Sequence, residues 1–391
     1  MATTLKVLQD SDVTTFKTNI HEAIPITGSL LSGTYGTPSK KLNEEPHIRY
    51  YTHGMFTGVH DYPYLSSSAN HIFDISFGYS AGSIYSASNG NSLGGSSPSN
   101  GIVTAQTKKH NIYYQMAQVL MGHNVDGTIK QFKIPGDVVP MDTVFFISFA
   151  RLLVKDEIKK GSFSFLFNTG SVWDDKFARV RKYADTDGQN SFYTDSPAGE
   201  YGILTSSTYR GDGPTGHVHG EVPGATSTVH DSWGRGLIFY QAGIMVLTAS
   251  QVTLKNMTGT IAGTGYRYTQ EAAGAFPGTF HTMATGSQIS EIADGFRHRV
   301  EQITFNNTTE LNSTIHFCRA NHNDFNYSSN KTYTSNSKIT VKNTSLDQPV
   351  SYVTSIGLYS ADNELLAVAK LSEPLKKTPD NELTIRVRLD Y

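Results

Sequence analysis

From Val300 to Tyr391 the chain alternates apolar and polar residues in short runs, and this period of two restricts its possible folds more than any other feature. QITFNNTTELNSTIHFCRAN, SKITVKN, YVTSIGLYS, NELLAVAKL and ELTIRVRLDY are strand-like, and NNTTELN, ADNE and KTPDNE supply turn chemistry between them. Successive side chains on a strand point to opposite faces, so each run offers one apolar and one polar side. In the last run Leu383, Ile385, Val387 and Leu389 share one face, while Arg386, Arg388 and Asp390 share the other. Strands at this spacing predict a C-terminal antiparallel β-domain over 300–391, sandwich-like or partly closed. Its last strand completes a sheet and leaves an edge able to pair with another chain.

Composition extends this reading to the whole chain. Apolar residues make up 38% and charged residues 17% of the 391 positions. Both are below the roughly 45–50% and 25% of ordinary globular domains. Ser, Thr, Asn, 35 Gly and 21 Tyr fill the gap, which suits sheets joined by polar loops. The expected fold is mainly β (α+β): sandwich or barrel-like domains with a few packed helices.

The first fifty residues have no sustained period and several breakers, so 1–50 is expected to be an extended arm or irregular segment. Residues 51–299 form a β-rich central region. HIFDISFGYS alternates as a strand, with Ile72, Asp74 and Ser76 against Phe73, Ile75 and Phe77. A helix near 108–122 places Ile112, Met116, Val119 and Leu120 on one face, with Gly122 as its C-terminal cap. Thr143–Val154 and Gly161–Gly170 read as a hairpin or a strand with a short crossover. LIFYQAGIMVLTAS reads as one strong strand. In GSQISEIADGFRHRV a second helix places Ile289, Ile292 and Phe296 on a common face. The loops over 171–235 are long and polar.

Net charge of −2 argues against a general nucleic-acid or membrane surface, both of which need concentrated basic charge. No apolar window approaches about 20 residues, so no membrane span is expected. The N-terminus lacks the apolar stretch of a secretory signal. The lone cysteine, Cys318, excludes an internal disulfide and is expected as a small apolar side chain on a strand.

The sequence assembles no catalytic set. His217 and His219 are weak metal candidates, because i and i+2 on a strand share a face, but no third ligand follows at a diagnostic spacing. DTDGQN, Asp185–Asn190, begins like a calcium loop, yet position twelve is Ser196 rather than glutamate, so an Asx turn is expected. No G-x-S-x-G elbow occurs between a strand and a helix. No cofactor is expected. Trp173, Tyr183, Tyr193 and Trp233 are aromatic residues that a sugar-binding protein would use for stacking.

FNYSSN (325–330), YVTSIGLYSADNELLAVAKLSEPLKKTPDNELTIRVRLDY (352–391), YYTHGMFTGVHDYPYLSSSANHIFDISFGYS (50–80), YYQMAQVLMG (113–122) and FARLLVKDEIKKGSF (149–163) together resemble structural proteins of the virions of contractile-tailed bacteriophages. The last module is similar to ones in tail, baseplate, neck and tail-fibre-attachment proteins. The resemblance implies a non-enzymatic neck (collar), tail or baseplate component that links a core ring to peripheral fibres. It implies assembly in the host cytoplasm into the virion, as a trimer, hexamer or dodecamer ring contacting other virion proteins, without direct nucleic-acid or membrane contact. A receptor- or carbohydrate-binding virion protein is the alternative; a capsid decoration protein or virion-borne hydrolase ranks below it. The expected interface residues are Tyr352, Ile356, Leu358, Leu365, Leu366 and Val368, with Arg386 and Arg388 on the outer side of the last strand.

Overall fold

The computed structural model describes residues 5–27, 48–61, 70–83, 105–137, 140–168, 180–210, 234–249, 288–297, 300–326, 334–335, 338–339, 346 and 348–391. The chain is mainly β. In order, the strands are β1 (Val13–Thr27), β2 (Ile48–Tyr50), β3 (Thr57–Asp61), β4 (Asn70–Tyr79), β5 (Thr143–Phe149), β6 (Glu157–Ile158), β7 (Ser164–Asn168), β8 (Val180–Ala184), β9 (Tyr201–Arg210), β10 (Gly234–Phe239), β11 (Ile244–Thr248), β12 (Val300–Ala320), β13 (Thr334–Ser335), β14 (Lys338–Ile339), β15 (Ser351–Tyr359), β16 (Leu365–Lys377) and β17 (Leu383–Asp390). Two helices of more than one turn are described, α1 (Ala105–Leu120) and α2 (Ile289–Arg297).

Thirteen strands join one sheet in the order β1-β12-β7-β8-β9-β10-β11-β5-β4-β3-β2, with β6 and β17 also paired to β12. The chain divides into two compact units, one of residues 1–20 with 310–391 and one of residues 21–309. The expected boundary at 300 is therefore the first residue of β12, a strand continuing to Ala320. Residues 13–27 of the expected arm form β1, at one end of the sheet order.

In the 21–309 unit the core is aromatic. Phe296 of α2 stacks on Phe145 of β5 at 4.5 Å and lies 5.9 and 5.0 Å from Phe165 and Phe167 of β7. Four strands separate β5 from β7 in the sheet order, so the sheet curls round the helix. Phe149 of β5 meets Phe305 of β12 at 5.1 Å, which closes the curl further along. Curling lets one sheet bury its inner face against itself and α2, the barrel-like solution for a long antiparallel sheet. Ile289, Ile292 and Phe296 are all buried, as their helical spacing predicts.

Several readings of sequence are corrected. In α1 the buried side chains are Lys109, Ile112, Tyr113, Ala117 and Leu120, whereas Val119 is 62% exposed. The buried stripe is rotated toward Tyr113 and Ala117, and Gly122, with φ +76°, ends the helix as expected. Thr143–Val154 and Gly161–Gly170 do not form a hairpin. β5 pairs with β4 and β11, while β7 pairs with β12 and β8, and a helical turn, Arg151–Val154, ends the first run. LIFYQAGIMVLTAS is a hairpin of β10 and β11, not one strand; Gly243 takes φ +65° in its turn. NNTTELN does not turn: it runs inside the 21-residue β12, because both ends of that run find partners in the same sheet.

Candidate assembly surface

The unit of residues 1–20 and 310–391 contains a three-stranded part, a short β13–β14 pair and a separate two-stranded ribbon. β17 runs antiparallel to β12, with Thr314 opposite Leu389, His316 opposite Val387 and Cys318 opposite Ile385. These residues share one face; Ile315, Phe317, Arg386 and Arg388 share the other. Along β17 the apolar positions are buried or half-buried and the charged ones exposed. Cys318 is half-buried on its strand, and burial pushes its thiol pKa up.

The two arginines differ. Arg388 donates from Nε to Asp390 at 2.7 Å and from an Nη to Ser313 at 3.1 Å, and lies over the Phe16 ring. Hydrogen bonds from Ser313 and Arg388 hold the Asp390 carboxyl below its usual pKa. Arg386 has no hydrogen-bond or ion-pair partner among the described residues.

The other six expected interface residues all lie on the β15–β16 ribbon. Its register pairs Ile356 with Ala369, Gly357 with Val368, Leu358 with Ala367 and Tyr359 with Leu365. Residues directly opposite in an antiparallel pair share a face. One face therefore carries Ile356, Leu358, Ala367 and Ala369. The reverse carries Tyr359, Leu365 and Val368 over Gly357, at which an added Cβ would meet Tyr359 at 2.9 Å and Leu365 at 3.2 Å. Leu366 is the extra residue of a bulge and is 68% exposed. Tyr352, Tyr359, Leu365, Val368 and Leu375 are exposed too.

Such a ribbon is unusual in water. A lone two-stranded hairpin is at best marginally stable, and soluble chains rarely gather exposed apolar side chains in one patch. Its closed end is a turn in which the Ser360 and Glu364 backbones are bonded at 2.8 Å, with Asn363 at φ +63°. Its base is fixed. Lys377, fully buried, donates to Asn326 Oδ1 at 2.7 Å, the Thr378 carbonyl at 2.8 Å and the His322 carbonyl at 3.2 Å. The Ser351 hydroxyl donates to the Phe325 carbonyl. Fixed base and apolar faces suit a surface held ready for a partner.

The remaining candidates fall elsewhere. His217, His219, Trp173 and Trp233 lie outside the described residues. Tyr183 is buried on β8 against Phe165, which corrects its reading as a sugar-stacking loop residue. Tyr193 is half-buried and stacks on Tyr201 at 5.4 Å. Asp185, expected in an Asx turn rather than a calcium loop, is buried, and its Oδ2 accepts from the Gly161 amide at 2.8 Å and the Tyr240 hydroxyl at 2.7 Å. Among the described residues no group of three or more His, Cys, Asp or Glu is placed to hold a metal ion. None of their helices is long and apolar enough to cross a membrane. The sequence reading missed the Lys377 anchor; a lysine in a polar, turn-rich stretch reads as solvated, and only the fold reveals its three acceptors.

No family model, curated protein or solved structure matches this chain.

Proposed function

We propose that this chain is a structural component of a bacteriophage virion, a tail, baseplate or neck protein that acts through contacts with copies of itself and with neighbouring virion proteins. The observation that carries the assembly part of this reading is the β15–β16 ribbon, apolar on both faces and anchored at its base. The resemblance of residues 325–330 and 352–391 to phage structural proteins supplies the kind of particle. In this reading the chain turns over no substrate, and its affinity comes from repeated contact area.

The test is to raise antibody to the purified chain, label phage particles and image them, alongside the oligomeric state of the chain in solution. Label at the neck, tail or baseplate together with a multimeric chain is the expected result. Unlabelled particles and a monomeric chain overturn the proposal. A sugar array run beside it separates the receptor-binding alternative, which requires specific glycan binding.

A further inference from the structure

The two faces of the β15–β16 ribbon differ in relief. On one, β16 presents Ala367 and Ala369 opposite Leu358 and Ile356, a shallow trough. On the other, Tyr359, Leu365 and Val368 stand out around Gly357. Large side chains on one side and small ones on the other make the ribbon complementary to itself, front against back. A two-fold dimer joins like to like, front on front or back on back, and leaves the opposite apolar face in water.

Area argues the same way. A nine-residue strand is about 30 Å long and a two-stranded ribbon about 10 Å wide, so each face offers roughly 300 Å². A dimer pairing one face buries about that much per chain, well below the roughly 800 Å² per partner of a stable specific interface. Front-to-back contact engages both faces of every chain and doubles the apolar area buried per copy. Charge permits it: β15 carries no charged residue, Lys370 lies opposite Ser355 at the basal rim of the Val368 face, and Glu373 and Lys376 lie further toward the base.

We infer that the ribbon packs against ribbons of further copies of this chain, its Tyr359–Leu365–Val368 face on the Ile356–Leu358–Ala367–Ala369 face of the next, so that the assembly closes as a ring of three or more. This deepens the assembly reading and rests on it. Because each copy uses two different surfaces, the contact is heterologous and closes by rotation.

Native mass spectrometry of the full chain tests it with two variants, Val368→Glu on one face and Ala369→Glu on the other. The wild type should give a closed ring of at least three copies. Each variant alone should be monomeric, because each removes one half of every contact. Mixed in equal amounts they should give a one-to-one heterodimer and nothing larger, since only one intact front meets one intact back. A wild-type dimer, or a variant that leaves the wild-type state unchanged, overturns the inference while leaving the assembly reading standing. A monomeric wild type whose antibody does not label particles overturns both. Circular dichroism melting of each variant establishes that the remainder stays folded, and Val368→Thr, which keeps the shape without a charge, should retain the ring.

Discussion

Lys377, with no exposed surface, donates its shortest hydrogen bond to Oδ1 of Asn326, at 2.7 Å. The other two acceptors are neutral carbonyls. A buried ammonium needs such partners, because an unsatisfied one is costly. The lysine ties the last residue of β16 to the 321–326 loop, and so fixes where the ribbon starts.

Replacing Asn326 by Ala removes one acceptor, and Lys377→Met removes the cation with all three bonds. The expected loss is about 1–3 kcal/mol of local stability for the Asn326 change, with the Lys377 change at least as large. Amide hydrogen exchange should quicken in β15 and β16 and stay unchanged in β4 and β5. Unaltered protection of the ribbon would show that the base is held by something else.

Asp185 and Tyr240 give a prediction with a pH sign. Burial is the main influence on Asp185 and raises its carboxyl pKa above the ordinary value, against the hydrogen bonds from Gly161 and Tyr240 that lower it. A carboxyl raised in the fold favours folding most below its unfolded pKa, and that contribution is lost as pH rises through the folded value. Asp185→Asn should therefore help most at neutral pH and least at pH 3. Tyr240→Phe takes away a donor that the ionised carboxylate needs. Its cost, about 1–3 kcal/mol, should be greater at pH 7 than at pH 3. Denaturant melts of both variants at the two pH values are the check; equal costs at both would mean the carboxyl does not ionise in the fold.

The α1 stripe separates two neighbouring residues. Leu120 is fully buried and Val119 is 62% exposed. Leu120→Ala should cost about 2–5 kcal/mol. Val119→Lys should change stability by less than about 0.5 kcal/mol. Thermal melting distinguishes them, and a large loss for Val119→Lys would restore the stripe expected from sequence.

What could be read in the sequence follows from how local each signal is. The period of two located β4, β15, β16 and β17, because alternation is a local signal that survives the bulges at which β15 and β16 shift register. Ile289, Ile292 and Phe296 revealed α2 for the same reason at period 3.6. Length and partner choice were not legible. Asn306 to Asn312 look like a turn, yet β12 continues through them since Asn307 pairs with Ile158 and Ser313 with Asp390. The run from Leu237 to Ser250 looks continuous because its turn residues, Tyr240 to Gly243, include apolar side chains; only the φ of Gly243 marks the reversal. The ribbon's residues were legible as an apolar alternating pair, but its isolation from the large sheet depends on which strands take β12 as partner, a non-local choice.

Gly243 itself carries a prediction. Its φ is +65°, and an added Cβ would stand 2.6 Å from Val154 Cγ2. Gly243→Ala must pay for a left-handed backbone, about 1–2 kcal/mol, and also displace Val154, which is buried. A loss of at least about 2 kcal/mol in denaturant melting is expected from the two together. Gly243→Asn, which tolerates left-handed backbone better, should recover part of the first contribution and none of the second.

Two histidines of the 21–309 unit give a second prediction with a pH sign. Burial lowers the pKa of His60, helped by Arg49 and His71, and burial alone lowers that of His110. His60 and His71 rings are 5.1 Å apart, and His71 Nε2 lies 2.9 Å from Asp74. A base depressed in the fold contributes stability above its unfolded pKa of 6.5, and loses it as pH falls from there through the depressed value. The contribution of these histidines should therefore fall below about pH 6.5, against the opposite trend from Asp185. His60→Gln removes the proton that must be taken up and should flatten the curve between pH 6.5 and 5, whatever it costs at pH 7. Melting temperatures across that range decide it, and an unchanged slope in the variant would place the acid sensitivity elsewhere.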